Sequence, residues 1–139
     1  MDRIEPHDRA WLEADERAEI SEAHAKVVAS REHIRALAEV FCELSEQAVA
    51  AADKASEDAT ATAEAATELY QAVEADYGPE SFETVSAKRA KAGADARAEA
   101  AEEEAHLADE VCRTAGVVWS RAVRAHAKAE RAQEAFQNG

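Results

Sequence analysis

Glu103 and His106 have the spacing of a metal-binding pair. A helix places residues three apart on one face, and Glu-x-x-His pairs of this kind bind iron in some four-helix proteins. Such centres need a second pair and two more carboxylates, and no other histidine here has Glu three residues before it. A symmetric dimer would supply the second pair, with Asp53 or Glu57 as the bridging acid. The interpretation we favour is a solvated acidic face around residues 102–104.

Cys42 and Cys112 are the only two cysteines, too few for a disulfide framework or a closed zinc site. Folding the chain back at Gly78 brings them to the same level of the hairpin. Close helix packing would permit a disulfide there. The alternative, which we favour, is that both are small, buried and apolar.

Other catalytic patterns are missing from the sequence. It has no Ser/His/Asp or Cys/His arrangement with supporting context, no glycine-rich phosphate loop and no paired-cysteine zinc spacing. Few large apolar residues are available to enclose a desolvated pocket. We therefore expect neither an enzyme nor a cofactor.

The interruption at Tyr77-Gly78-Pro79 organises the chain. Glycine tolerates the left-handed conformation at a helix end, and proline disfavours helix in the residue before it. Both sides are rich in alanine, glutamate and other helix formers. We predict a single all-helical domain over 1–139, with helix one over about 6–76, a turn at 77–79 and helix two over about 80–137.

Apolar residues recur at heptad spacing in both helices, which is typical of a coiled coil. In helix one, Ile20, Val27, Ile34 and Phe41 are seven residues apart, with Leu37 and Leu44 between the repeats. The predicted stripe of helix two contains Val111, Ala115, Val118, Ala122, Ala125, Ala129, Ala132 and Phe136. The fold class is thus a long, alanine-rich antiparallel helical hairpin.

An antiparallel turn at Gly78 pairs residues whose numbers add to about 155. Leu37 then faces Val118, and Phe41 falls opposite Gly116, where the absent side chain would make room for the ring. We also predict a thin alanine-rich middle and a thicker end remote from the turn.

Helix two is shorter than helix one, so residues 1–19 form an overhang without a partner. The overhang contains Trp11 and Leu12, whose exposure is unfavourable by roughly 1.5–3 kcal/mol for a large apolar side chain. We expect self-association into a four-helix bundle or a larger helical oligomer. The predicted interface residues are Trp11, Leu12, Ile20, Trp119 and Phe136.

The net charge of −14 argues against direct binding to nucleic acid or to an anionic membrane. Residues 111–139 form the one basic stretch, which we expect to pair with helix-one carboxylates such as Glu32. No apolar run resembles a signal peptide or reaches the roughly 20 residues needed to span a membrane, so we expect a cytoplasmic protein.

Three functional hypotheses remain open. The leading one is a non-enzymatic structural or interaction protein that self-associates and docks a protein partner. The second is a ferritin-like metal-binding four-helix protein that uses Glu103 and His106. The third is an acidic helical decoy that inhibits a basic, nucleic-acid-binding partner.

Overall fold

Two long helices make up the described chain. The computed structural model describes residues 6–139, with α1 at Pro6–Tyr77 and α2 at Phe82–Asn138. The helices pack against each other, and no strand occurs in the described residues. The predicted all-α helical hairpin is therefore confirmed.

The chain separates into two compact units, which are described here one at a time. The terminal unit comprises the described residues up to Phe41 together with Gly116–Gly139, and the turn unit comprises Cys42–Ala115. The assignment of a single domain stays a prediction.

The connection between the helices depends on Gly78 and Ser81. Gly78 has a φ of 87°, and its N–H donates to the Glu74 carbonyl at 3.0 Å, which closes the end of α1. Ser81 caps α2, because its Oγ accepts from the Thr84 N–H at 3.1 Å. The buried Thr84 hydroxyl donates to the Gly78 carbonyl at 2.6 Å and ties the two helix ends together.

Small side chains form the helix contact of the turn unit. Buried and half-buried positions alternate three and four residues apart on both helices. They are Cys42, Ser45, Val49, Ala52, Ser56, Ala59, Ala63, Ala66, Tyr70 and Val73 on α1, and Thr84, Ala87, Lys91, Ala94, Ala98, Ala101, Ala105, Ala108, Cys112 and Ala115 on α2. Because most of these side chains are short, the backbones can approach closely.

The terminal unit continues the same spacing with more polar residues. Its inward positions are Ser21, His24, Val28, Arg35 and Ala38 on α1, and Ala122, His126, Ala129, Gln133 and Phe136 on α2. The ring of Phe136 lies 5.3 Å from the ring of His24, centroid to centroid. The Arg17 guanidinium lies 5.3 Å from the same Phe136 ring, in cation–π geometry.

The predicted seam of helix one is wrong. Its large residues are not buried: Ile34 is 42% exposed, Phe41 46% and Leu37 57%. The buried positions lie one residue further along the helix. Both stripes repeat every seven residues, so periodicity alone could not decide which one faces the partner helix. On α2 the prediction was right for Ala115, Ala122, Ala129 and Phe136, and wrong for Val111 and Val118, which are exposed.

The predicted role of Gly116 is also wrong. A Cβ added to Gly116 would meet nothing within 4 Å, so the Phe41 ring does not occupy the space left by the missing side chain. Leu37 and Val118, predicted to face each other in the seam, are both half exposed.

Alanine substitutions at the glycines test this helix packing. Gly78→Ala should destabilise the fold by about 1 kcal/mol, because alanine is strained at positive φ. Gly93→Ala and Gly116→Ala should instead stabilise it by about 0.5–1 kcal/mol, because alanine is the better helix former and the added methyl has room. Urea unfolding followed by circular dichroism measures all three. A loss of stability in Gly116→Ala would show that a side chain packs on this glycine.

Candidate interaction surface

The buried stripe divides each helix into two flanks. If the buried residues are labelled a and d of a heptad, as at Cys42 and Ser45, positions c and g lie on one side and b and e on the other. In an antiparallel pair, corresponding flanks of the two helices lie on the same side of the contact. We call these sides the c/g flank and the b/e flank.

The c/g flank of the terminal unit is an exposed apolar stripe. It is formed by large side chains that are between 42% and 57% exposed. These are Ile20, Val27, Ile34, Leu37 and Phe41 on α1, with Val118 on α2. A monomeric soluble protein rarely exposes a contiguous apolar patch of this kind, so the stripe is a candidate interaction surface.

The turn unit has exposed apolar residues at the same heptad positions. They are Leu44 and Leu69 on α1, and Leu107 and Val111 on α2. Seven of the 16 remaining c and g positions of this unit are alanine, and the others are glycine, polar or charged. Its c/g flank is therefore flatter than that of the terminal unit.

Charge distinguishes the two flanks of α1. Nine of the 16 b and e positions between residues 22 and 74 are Asp or Glu, and none is Lys or Arg. Of the 17 c and g positions between residues 20 and 76, only Asp58 and Asp76 are charged. The c/g flank is thus the side on which an acidic helix can approach another acidic helix with little repulsion.

A polar network joins the helices on the b/e flank of the terminal unit. His126 is largely buried, and its ring lies between two carboxylates, with Nε2 3.0 Å from Glu32 and Nδ1 3.1 Å from Glu130. Each ring nitrogen is thus within hydrogen-bond distance of a carboxylate. The Arg35 guanidinium donates twice to Glu32, at 2.7 and 3.1 Å. The residue of 111–139 that meets Glu32 is therefore His126, whereas the sequence led us to expect one of the arginines or Lys128 of that stretch.

The same network sets the ionisation of Glu32. The hydrogen bonds from Arg35 are the main cause that holds the pKa of Glu32 below its ordinary value of 4.5, and His126 adds a smaller effect in the same direction. The paired carboxylate raises the pKa of Arg35 in turn. This network therefore joins the two helices on the b/e flank of the terminal unit and satisfies these four groups.

The candidate metal ligands Glu103 and His106 are exposed on α2. With Glu99 and Glu102 they line a shallow surface depression to which α1 contributes nothing, so the proposed bridging acids do not reach it. In the part of the chain that the structure describes, no three His, Cys, Asp or Glu side chains are grouped to hold a metal ion. The described residues of one chain therefore do not bring together the ligands that a metal ion would need around Glu103 and His106.

The two cysteines are half-buried and unbonded in the turn unit. Burial, reinforced by Glu46 and by Cys112, raises the pKa of the Cys42 thiol. A thiol with a raised pKa is less often ionised and hence a poorer nucleophile. The geometry therefore does not activate Cys42 for chemistry.

The predicted interface residues lie on different sides of the helix pair. Ile20 belongs to the c/g flank, whereas Trp11, at an e position and 73% exposed, lies on the b/e flank. Phe136 is inward and stacked on His24, and Trp119 is in line with the inward positions but 38% exposed. The Leu12 side chain lies outside the described residues.

Sequence reasoning missed the rest of the apolar stripe as a surface, because it assigned Val27, Ile34, Leu37 and Phe41 to the internal seam. One signal could have found it. Along α1 the small residues at a and d have mostly apolar c/g positions on one side and mostly acidic b/e positions on the other. The apolar side could therefore have been identified as a surface next to a contact made by the small residues.

No protein-family model, curated protein or solved structure matches the chain. Within residues 6–139, neither helix carries an apolar stretch long enough to cross a membrane.

Acid titration tests the Glu32 network. The pKa of Glu32 is lower in the folded than in the unfolded chain, so its carboxylate contributes stability in full above about pH 4.5. That contribution is lost as the pH falls through the lower folded value. Glu32→Gln should therefore weaken the dependence of unfolding free energy on pH below 4.5, measured by urea unfolding at a series of pH values. Glu68→Gln is the control, and an equal change there would contradict a specific role for Glu32.

Proposed function

We propose that the protein is a non-enzymatic structural or interaction protein that acts through helical self-association. Two copies pair through their c/g flanks to form a four-helix assembly. The observation that supports this proposal is the exposed apolar stripe of the terminal unit, from Ile20 to Phe41 together with Val118.

The apolar area is sufficient for association. Burying a large side chain fully is worth about 1.5–3 kcal/mol, and these side chains still expose about half of their surface. Six such side chains on each of two copies amount to about 9–18 kcal/mol. Losing the independent motion of two chains costs about 4–15 kcal/mol, so a dimer is attainable.

Charge selects this flank over the other one. Each chain has a net charge of −14, so two copies repel unless their contact surfaces are nearly uncharged. Between residues 20 and 76 the c/g flank of α1 meets that condition, whereas the b/e flank would place rows of carboxylates against each other. In this assembly the acidic flanks remain outside, available to a protein partner.

Adjacent valines on α2 provide a matched test. Val118 lies on the c/g flank and is 46% exposed, whereas its neighbour Val117 is 52% exposed at an f position, away from that flank. Val118→Lys should weaken self-association by at least about tenfold in Kd. Val117→Lys should leave Kd within about threefold of the wild type. Sedimentation equilibrium over a range of concentrations measures both.

A lysine makes the chain less negative and so reduces repulsion between copies. A loss of association in Val118→Lys therefore comes from the lost apolar contact. Leu37→Lys should behave like Val118→Lys. A wild-type protein that remains monomeric at every concentration would exclude the proposal, as would equal effects at Val117 and Val118.

The acidic b/e flank supports a second candidate function. Its row of carboxylates on α1 could act as a decoy for the basic surface of a nucleic-acid-binding protein. Binding of a basic model peptide should then weaken steeply between about 50 and 200 mM salt. Binding that is insensitive to salt would reject this candidate.

A further inference from the structure

The turn unit contains an open groove on its c/g flank. The groove has a volume of about 560 Å³ and an apolar floor of small side chains. It is lined by Asp58, Ala59, Thr62, Ala66, Arg89, Ala90, Gly93, Ala94 and Arg97. Adding a Cβ to Gly93 would meet nothing within 4 Å, so there is space in the groove at this point.

The rim of the groove is basic. Arg89 and Arg97 are exposed, and neither forms an ion pair within the described residues. The single carboxylate of the lining is Asp58. In a chain of charge −14, an apolar groove bounded by arginines is suited to an amphipathic segment that carries carboxylates next to its apolar residues.

The first part of α1 has this composition on its c/g flank. The successive positions are Glu13, Glu16, Ile20, Ala23 and Val27, all exposed. Two carboxylates are thus followed by two branched apolar side chains on one face of the helix. We call residues 13–27 the strip.

We infer that the groove of one copy binds the strip of a second copy. Ile20 lies against the alanine floor, and Glu13 and Glu16, one to two turns before it on the helix, pair with Arg89 at one end of the groove. Large side chains then fill the space left by small ones, as in a well-packed core. In a two-fold dimer the contact occurs twice, because each copy contributes one groove and one strip.

This inference rests on the proposed self-association and specifies its contacts. Trp11 is not an alternative occupant within the same contact, since it lies on the b/e flank of α1. The exposed segment from Ile20 to Phe41 also extends beyond the strip. Changes at Leu37 therefore test the dimer itself, whereas changes at the groove test this contact.

Two charge-reversed variants test the contact. The groove variant is Arg89→Glu with Arg97→Glu, and the strip variant is Glu13→Arg with Glu16→Arg. Each should self-associate at least about tenfold more weakly than the wild type, because like charges now meet twice in the dimer. An equimolar mixture should regain association, since a heterodimer has opposite charges at both contacts. Sedimentation equilibrium of each variant and of the mixture gives the three constants.

Circular dichroism melting of each variant establishes that it is folded, and Arg124→Glu, at an outward f position, is the single-site charge control. A mixture that associates no better than the variants alone overturns the inference. The inference is also overturned if the groove variant associates as tightly as the wild type while Leu37→Lys abolishes association. In that case the chain still dimerises, so the proposed function stands. A wild-type protein that is monomeric at every concentration would exclude both the groove contact and the proposed self-association.

Discussion

Contact between short side chains determines the arrangement of the two helices. Alanine, serine and cysteine occupy most of the inward positions of the turn unit, and Ala38, Ala122 and Ala129 lie inward in the terminal unit. Short side chains let the backbones approach closely, so burial removes less surface per residue but keeps the helices together along many turns. No large side chain is fully buried in the described residues.

Because short side chains occupy the contact between the helices, the large apolar residues lie beside it. The inward positions next to Leu37 and Phe41 are taken by the shorter Ala38 and Cys42, so Leu37 and Phe41 lie on the c/g flank, where about half of each is covered. A helix pair of this kind is incompletely buried alone. The proposed four-helix assembly would cover these half-exposed side chains.

The polar network on the opposite side reinforces this asymmetry. Glu32, Arg35, His126 and Glu130 pair with one another on the b/e flank of the terminal unit, so these four groups need no further partner. The c/g flank has no comparable network among the described residues and is mostly apolar there. One flank therefore fixes the helix pair, and the other remains available for assembly.

The sequence was sufficient to predict the hairpin, its turn at Gly78 and the heptad spacing of both helices. These features follow from local chemistry: the conformational freedom of glycine, the restriction by proline and the helix propensity of alanine and glutamate.

It was not sufficient to identify the inward stripe. Ile34 and Arg35 are neighbours, and hydrophobicity alone favours turning Ile34 inward. Arg35 can lie at the inward position because Glu32 receives two hydrogen bonds from its guanidinium, while its methylene stem can pack in the contact. The Glu32–Arg35 pair is local, three residues apart on α1, whereas the contact of Glu32 with His126 across the helices is long-range, and no period within α1 encodes it.

The outward apolar flank has a further consequence for how the chain must fold. Helices held together by alanine gain little per turn, so the isolated hairpin is only modestly favoured over the unfolded chain. Covering the c/g flank with a second copy would stabilise the folded state by mass action, so stability would rise with concentration. Folding and assembly are then linked through the same residues, from Ile20 to Phe41. These side chains stay half exposed in the helix pair because short side chains form its contact.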